Sequence, residues 1–476
     1  MKNIKTLSFS LLVVYATLTG CSTIKPVAEN EGKKIPESYT STKDTVNSAN
    51  INWKQYFTDS NLNELIDIAL KNNSDLTISL QRIEAARANV RFNQNALFPS
   101  LSLNTTYLQR KFGYYTMDDA GNRTTEIKPG QIVPTHLPDY FLGFQTAWEI
   151  DVWGKLRNKK KAALSRYLST VEGKNLIVTN LIAAVVNTYY ELLSLDNKLE
   201  IIRETVQLQE KAVELISIQK QAGVANELAV KQFEAQLFNS KALEVETRQQ
   251  ITETENQINF LLNRYPQSVK RDKQEFTKPL PFTVNTGIPS DLLKNRPDIR
   301  QAEYELIASK ADVKAAKAAF YPSLNITGLL GYQGFDAGLL FTTPQSVAYS
   351  FAGSLLTPLI NRNAVKAEFK TANAFQQEAL ANYQKSILNG YTEVYNELTN
   401  IRNLEKINEF KAKEVVSLTQ ASEASSELFK TGRANYIEVL ITQQNTLQSK
   451  LELIDAKQRQ FNAFVNIYKA LGGGWR

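Results

Sequence analysis

The sequence predicts a mainly α-helical protein with a transmembrane β part, and three observations carry that prediction. There is no proline between Pro138 and Pro266 and none after Pro358, so two very long stretches contain little that would stop a helix. Within those stretches apolar residues recur every seven positions. Ahead of each lie two shorter segments whose period drops to two, the spacing of a strand with one apolar face.

The chain is also one unit written twice. Asn72 to Leu103 matches Asn295 to Ile326 without gaps at an offset of 223 residues; in both copies an Ala-rich helical stretch ends at Pro99 or Pro322, and Ser-Leu opens the alternating segment. A second match pairs Gly223-Val224-Ala225-Asn226 with Gly432-Arg433-Ala434-Asn435 at an offset of 209, so the strands and loops between absorb the difference. The first repeat spans 51–270, with a helix, strands at 100–112 and 138–152, and a helical hairpin over 155–265. A linker covers 271–290. The second repeat spans 291–476, with a helix, strands at 322–335 and 345–358, and a hairpin over 362–471.

In the first hairpin Val178, Val185, Leu192, Leu199, Val206 and Val213 stand seven apart. Leu181, Thr188, Leu195, Ile202, Gln209 and Ile216 follow each by three, which is a coiled-coil seam. The seam returns 209 residues later in weaker form, at Ile387, Val394, Ile401, Asn408, Val415 and Ser422. A helix from Lys155 to Ala222 is about 100 Å long at 1.5 Å per residue, too long for a compact domain.

In the alternating segments Tyr140, Leu142, Phe144, Thr146, Trp148 and Ile150 face away from Phe141, Gly143, Gln145, Ala147 and Glu149. Strands of about ten residues with one apolar, aromatic face and one small, polar face suit a transmembrane barrel. An amphipathic sheet lying on a soluble core has the same alternation; secretion and lipidation, argued next, favour the membrane. Four strands cannot close, because outer-membrane barrels begin at about eight. An open edge in lipid costs several kcal/mol per unpaired backbone group, so the chain should oligomerise, two copies giving eight strands and three giving twelve.

Residues 1–20 carry Lys2 and Lys5, an apolar stretch from Leu7 to Leu18, and then Thr19-Gly20-Cys21, the order of a secretory signal. Leu18-Thr19-Gly20-Cys21 looks like a bacterial lipobox, which makes Cys21 the expected lipidation site. Ser22 after it offers no acidic inner-membrane retention signal, so an outer-membrane address follows. Residues 21–50 then read as a lipid-anchored tether with little to bury.

Composition removes most other functions. The 476 residues contain one Cys and one His, which excludes a disulfide framework and any cysteine-cluster or histidine-cage metal site. The net charge of +7 comes from 55 basic and 48 acidic residues that are interleaved, with no stripe beyond Lys159 to Lys161, so nucleic-acid binding is not expected. Phosphate-binding glycine patterns and catalytic constellations are absent, and His136 falls in a loop between the first two strands. An enzyme is not expected, nor a cofactor.

Trp53 to Leu76, Ile288 to Glu303 and the two Gly-x-Ala-Asn turns resemble a TolC-type outer membrane factor, in the lipoprotein branch that serves multidrug efflux pumps of the resistance-nodulation-division (RND) class. The segment from Ser290 to Ile299 is the most specific. The resemblance implies a homotrimer: a 12-stranded β-barrel in the outer membrane continuing into a 12-helix periplasmic coiled-coil tube, gated at its far tips. It also implies a periplasmic adaptor (membrane fusion) protein and an inner-membrane RND-type transporter as partners. The tips at Gly223, Val224, Ala225, Gly432, Arg433 and Ala434 would dock the adaptor. The family's acidic closure rings fall here on Glu438 and Ile441, so one carboxylate ring and one hydrophobic constriction are expected. Arg433 is a candidate polar lock between tips, and the first-repeat counterpart of Glu438, Ala229, carries no charge. A type I protein-secretion duct shares the fold, and a non-conducting coiled-coil envelope lipoprotein shares the helices; the doubled strand pair argues against the latter.

Overall fold

The computed structural model describes residues 36–39, 47–279, 285–357 and 362–475. The signal segment and Cys21 lie outside them. In chain order the elements are α1 (Trp53–Tyr56), α2 (Ser60–Asn72), α3 (Ser74–Asn95), β1 (Ser100–Arg110), α4 (Met117–Thr124), β2 (Glu126–Lys128), β3 (Gln131–Ile132), β4 (Leu137–Ile150), α5 (Lys155–Gln221) and α6 (Glu227–Leu261). Then come α7 (Leu292–Asn295), α8 (Pro297–Ala318), β5 (Ser323–Gly334), β6 (Val347–Leu356), α9 (Arg362–Lys430) and α10 (Tyr436–Ala470). The fold is mostly helical with one main sheet.

That sheet runs in the order β1-β4-β5-β6, all antiparallel, and β1 and β6 are its unpaired edges among the described residues. The loop between β1 and β4 is more structured than the sequence suggested: α4 and a two-strand ribbon of β2 and β3 fill it, with the Thr116 hydroxyl capping the Asp119 amide.

The two long helices are 67 and 69 residues, and each runs unbroken from the sheet to a distant turn. Shorter helices complete the wall. Near the sheet α5 lies between α3 and α8, and α8 lies against α9; toward the turns α5 packs on α6 and α10, and α10 on α9. Close to the sheet the α5–α8 seam is made of small residues, Ala162 against Ala308 and Ala311, which lets the helix backbones approach closely.

At the midpoint of α5 the wall thickens into an aromatic block. Tyr56 stacks on Phe464 at 4.4 Å and on Tyr468 at 4.2 Å, and Tyr190 stacks on Phe461 at 4.3 Å. The Tyr56 hydroxyl donates to the Phe464 carbonyl (3.0 Å) and the Tyr189 hydroxyl to Asp59 (2.6 Å), so the polar ends of these buried rings are satisfied. Burial pushes the Tyr468 hydroxyl up to about 12 and raises Tyr56 and Tyr189 further, which keeps all three neutral. Fully burying a ring of this kind contributes about 2 kcal/mol or more, and the most apolar stretch of α5 spends its apolar surface here, not against lipid.

The tether reading needs correction. Of residues 21–50, Tyr39 is buried and stacks on Tyr391 at 5.3 Å, Asn47 bridges to Thr286, and Ala49 is buried in the same cluster as Leu292 and Ile299. A single tyrosine supplied the anchoring surface that composition alone did not reveal. The described start of the linker, 271–279, is likewise tied down: Phe276 is buried, and Arg271 pairs with Asp196 and Glu255, each at 2.5 Å.

Candidate functional site: two sheet faces and two helix tips

The register of the sheet sorts its side chains into two continuous faces. Leu103 opposes Phe144, which opposes Leu330, which opposes Tyr349; Tyr107 opposes Tyr140, and Ile326 opposes Trp148. This face is apolar, and Leu101, Leu103, Phe144, Leu330, Tyr349 and Phe351 on it are exposed in the single chain. On the other face Asn104 opposes Gly143 and donates to the Gln145 side chain (3.2 Å), while Gln333 donates to Asp139 (2.9 Å).

One aromatic breaks that polar face. Phe141 is buried over Gly143, and Gly143 sits opposite Gly331. A Cβ on Gly143 would lie 2.6 Å from the Gly331 Cα and 2.7 Å from the Phe141 ring, so only glycine admits this close packing of ring on backbone.

The polar face continues onto the helices. Lys155, the first residue of α5, pairs with Glu149 at 2.7 Å, and Glu149 belongs to that face. At 100° per residue Lys159 and Arg166 stand on the same side of α5 as Lys155. They line a groove of about 800 Å³ together with Glu305, Asp312, Glu368 and Glu378, and Arg166 pairs with Asp312.

At the far end each hairpin turns through a glycine with positive φ, 75° at Gly223 and 72° at Gly432. The helix-end hydrogen bonds repeat: Val224 and Ala225 donate to the Gln219 carbonyl (2.9 and 3.2 Å), and Arg433 and Ala434 donate to the Leu428 carbonyl (2.8 and 3.3 Å). Asn226 then caps Ala229, and Asn435 caps Ile437. Ala225 is half-buried against Ile216, Phe233 and Val439, so the two turns are packed to each other through their hairpins. Val224, Gly223, Gly432 and Arg433 are exposed.

Glu438 and Ile441 lie on the first two turns of α10, both exposed, and the side chains of Glu438 and Arg433 form no ion pair among the described residues. Glu438 and Ile441, three residues apart, share a face of α10. Glu227 at the first tip is paired with Lys220, whose ammonium holds its carboxyl below the ordinary value. Among the described residues no cluster of three His, Cys, Asp or Glu side chains is placed to hold a metal ion. His136 is exposed in the turn before β4.

Sequence reasoning did not see what Arg296 does. It precedes Pro297 at the start of α8, and its buried guanidinium reaches Asp298 (2.6 Å), Glu393 on α9 (2.7 Å) and the Ala470 carbonyl at the end of α10 (2.8 Å). Burial works to lower its pKa, but the two carboxylates outweigh that and hold the cation charged. The Asn-Arg-Pro-Asp segment is therefore a buckle joining three helices at mid-height. Its specificity in the sequence was visible; its partners, distant along the chain, were not.

With this geometry in place, comparison with known proteins gives a consistent result. The family model for outer membrane efflux proteins matches residues 65–264 and 288–473. The solvent efflux pump outer membrane protein SrpC of Pseudomonas putida is 30% identical over 427 residues, covering 89% of this chain and 87% of that protein. The probable outer membrane lipoprotein SilC of Salmonella typhimurium is 26% identical over the whole of both. A crystal structure of a membrane protein from Pseudomonas aeruginosa superposes with a TM-score of 0.84 at 26% identity, covering 94% of this chain and all of that one.

Proposed function

The chain belongs to the outer membrane efflux protein family, and from that premise we propose that three copies form a sealed exit duct across the outer membrane and periplasm. Its fold is of the TolC type, it resides in the outer membrane, and its role is efflux. One observation carries the duct: an apolar sheet face and a polar sheet face, the polar one running without a break onto the charged inner side of a helix wall. Apolar outside and polar inside is what lipid and water demand of a barrel wall.

Three copies would join β6 of one chain to β1 of the next, giving twelve strands and removing both open edges. The helix wall supports the same closure, since Phe410 and Val416 on α9 and Phe238 and Val245 on α6 are exposed at its opposite margins. Cys21 would carry lipid in the membrane's inner leaflet. At the far end, Glu438 of three chains would form an acidic ring, with Ile441 as an apolar constriction below it and Arg433 contacting a neighbouring tip. Like charges brought together near an axis repel, so such a ring favours cations and yields when a partner supplies compensating contacts. A periplasmic adaptor protein would dock on the grooves between tips, around Gly223-Val224-Ala225 and Gly432-Arg433-Ala434, and link the duct to an RND-type inner-membrane transporter. The cargo is set by that transporter; the duct contributes walls, not chemistry.

Single-channel recording in a planar bilayer, with native mass spectrometry for copy number, tests this. The expected result is a trimer with low, cation-preferring conductance. A soluble assembly without conductance would overturn the duct.

A further inference from the structure

The helix wall has two exposed sides, and only one is accounted for by the duct. On α5 the buried positions Leu156, Ala162, Ala163 and Ser165 mark the two flanks that meet neighbouring helices. Lys155, Lys159 and Arg166 occupy the side continuous with the polar sheet face, so Arg157 and Lys161, about 180° and about 140° from the mean direction of those three, point outward. The same division holds on α8. Glu305 and Asp312 line the inner groove, and Lys314 and Lys317 stand exposed on the opposite side.

These outward charges recur between the repeats. At the offset of 209, Arg157 corresponds to Lys366 and Lys161 to Lys370; at the offset of 223, Arg91 corresponds to Lys314. All six are exposed. Arg157 is paired with Asp151 at 3.1 Å, and the other five form no ion pair among the described residues. The acids at the same height, Asp312 and Glu368, line the inner groove instead, with Glu305 and Glu378 further along it. Lys155, Lys159 and Arg166 pair with or adjoin acids on the inner side, whereas the outward Lys161, Lys314, Lys317, Lys366 and Lys370 have no acidic partner among the described residues.

Height decides what the outer charges meet. Trp153 stacks on Tyr321 at 4.8 Å and donates its indole N–H to the Pro322 carbonyl (2.8 Å), forming an amphipathic pair immediately below the apolar sheet face. Tryptophan and tyrosine favour this boundary between hydrocarbon and headgroup. Arg91 and Lys314 lie four residues from their helix ends, about 6 Å by the helical rise, and Lys161 lies about 9 Å into α5. A bilayer's headgroup layer is about 6 Å thick on each side, and screening at physiological salt extends about 8 Å beyond a charge.

We propose that Arg91, Lys161, Lys314, Lys317, Lys366 and Lys370 form a basic collar that binds anionic phospholipid headgroups of the inner leaflet, fixing the depth of the barrel in the membrane. The collar grips phosphate as point charges on flexible stems and requires no single pocket, which fits lysines spread around a rim.

The full-length trimer, placed in nanodiscs of mixed phosphatidylglycerol and phosphatidylethanolamine, is released into the gas phase and its retained lipids are counted. The native protein is expected to retain phosphatidylglycerol at least fivefold over its share in the disc, falling with added salt. The K161Q/K314Q/K317Q/K366Q/K370Q variant is expected to lose that preference while keeping its trimer mass and single-channel conductance. A control at the inner side, Lys159→Gln, should keep the preference. Equal enrichment in the native protein and the five-site variant would overturn the collar. That result does not bear on conduction, so the collar and the duct fail separately.

Discussion

The two hairpins have nearly the same lengths, the same glycine turn and an asparagine capping the return helix, yet their interiors differ. In the first, Ile216, Ala229, Val230 and Phe233 are buried together. In the second, the corresponding positions at the offset of 209 are Ser425, Glu438, Val439 and Thr442; Val439 packs into the first hairpin's cluster, and the other contacts are made by hydroxyls: Ser425 contacts Thr442 at 2.8 Å, and Thr446 donates to the Leu418 carbonyl at 3.0 Å. An apolar seam resists opening because separation exposes its surface to water, whereas hydroxyl contacts are exchanged for water at little net cost. This contrast fits the proposal that the second hairpin, which carries Glu438, Ile441 and Arg433, is the part that yields.

Phe233→Ala should have the largest effect on stability, lowering it by about 3 kcal/mol through the cavity it leaves, read as a fall in thermal midpoint and faster proteolysis at both tips. Thr442→Ala, its counterpart, should cost under about 1 kcal/mol; equal losses would erase the contrast between the hairpins. Gln209→Leu borrows the residue found at the same position of the second repeat, Leu418. Gln209 is buried with neither amide atom hydrogen-bonded among the described residues, so this change should stabilise the protein by about 1–2 kcal/mol in thermal unfolding. Gly223→Ala and Gly432→Ala should each cost about 1 kcal/mol, and equally, because both turns demand positive φ and neither is crowded.

Two tests address the tips directly. Glu438→Ala should raise leak conductance and weaken cation preference in planar bilayers, while Ala229→Glu in the first hairpin should instead impair assembly, seen by native mass spectrometry; unchanged conductance in the former removes Glu438 from the gate. The smallest effect is that of Glu227. Its carboxyl is held below the ordinary 4.5 by Lys220, so its stabilising share is present above that value and lost as pH falls through the lower folded value. Glu227→Gln should flatten that acid limb of tip proteolysis, leaving the variant slightly more cleavable than the native protein at pH 7 and equal to it below the folded value.

Local repetition made the long helices and the strands readable, since a seven-residue or two-residue period is written in consecutive residues and needs no knowledge of what lies opposite. The same holds for the turns, where Gly223 and Gly432 are required by backbone geometry alone. The Tyr39 anchor, the Arg296 buckle and the Phe141 ring over Gly143 and Gly331 were not readable, because each joins residues far apart in the chain and only packing brings them together. The difference between the hairpins lies between these cases: the residues Ile216 and Ser425 stand plainly in the sequence, but which of them is sealed in a seam is decided by the neighbouring helix.

The sequence by itself determined a twofold repeat of strands and long helices, and the apolar and polar faces of each strand. The tertiary structure decided that the polar sheet face and the charged groove of the helix wall, where Lys155, Lys159 and Arg166 meet carboxylates, are one continuous surface. Periodicity fixes which residues share a face of one element, but only the contact of Lys155 with Glu149 fixes how the face of a helix is phased to the face of a strand.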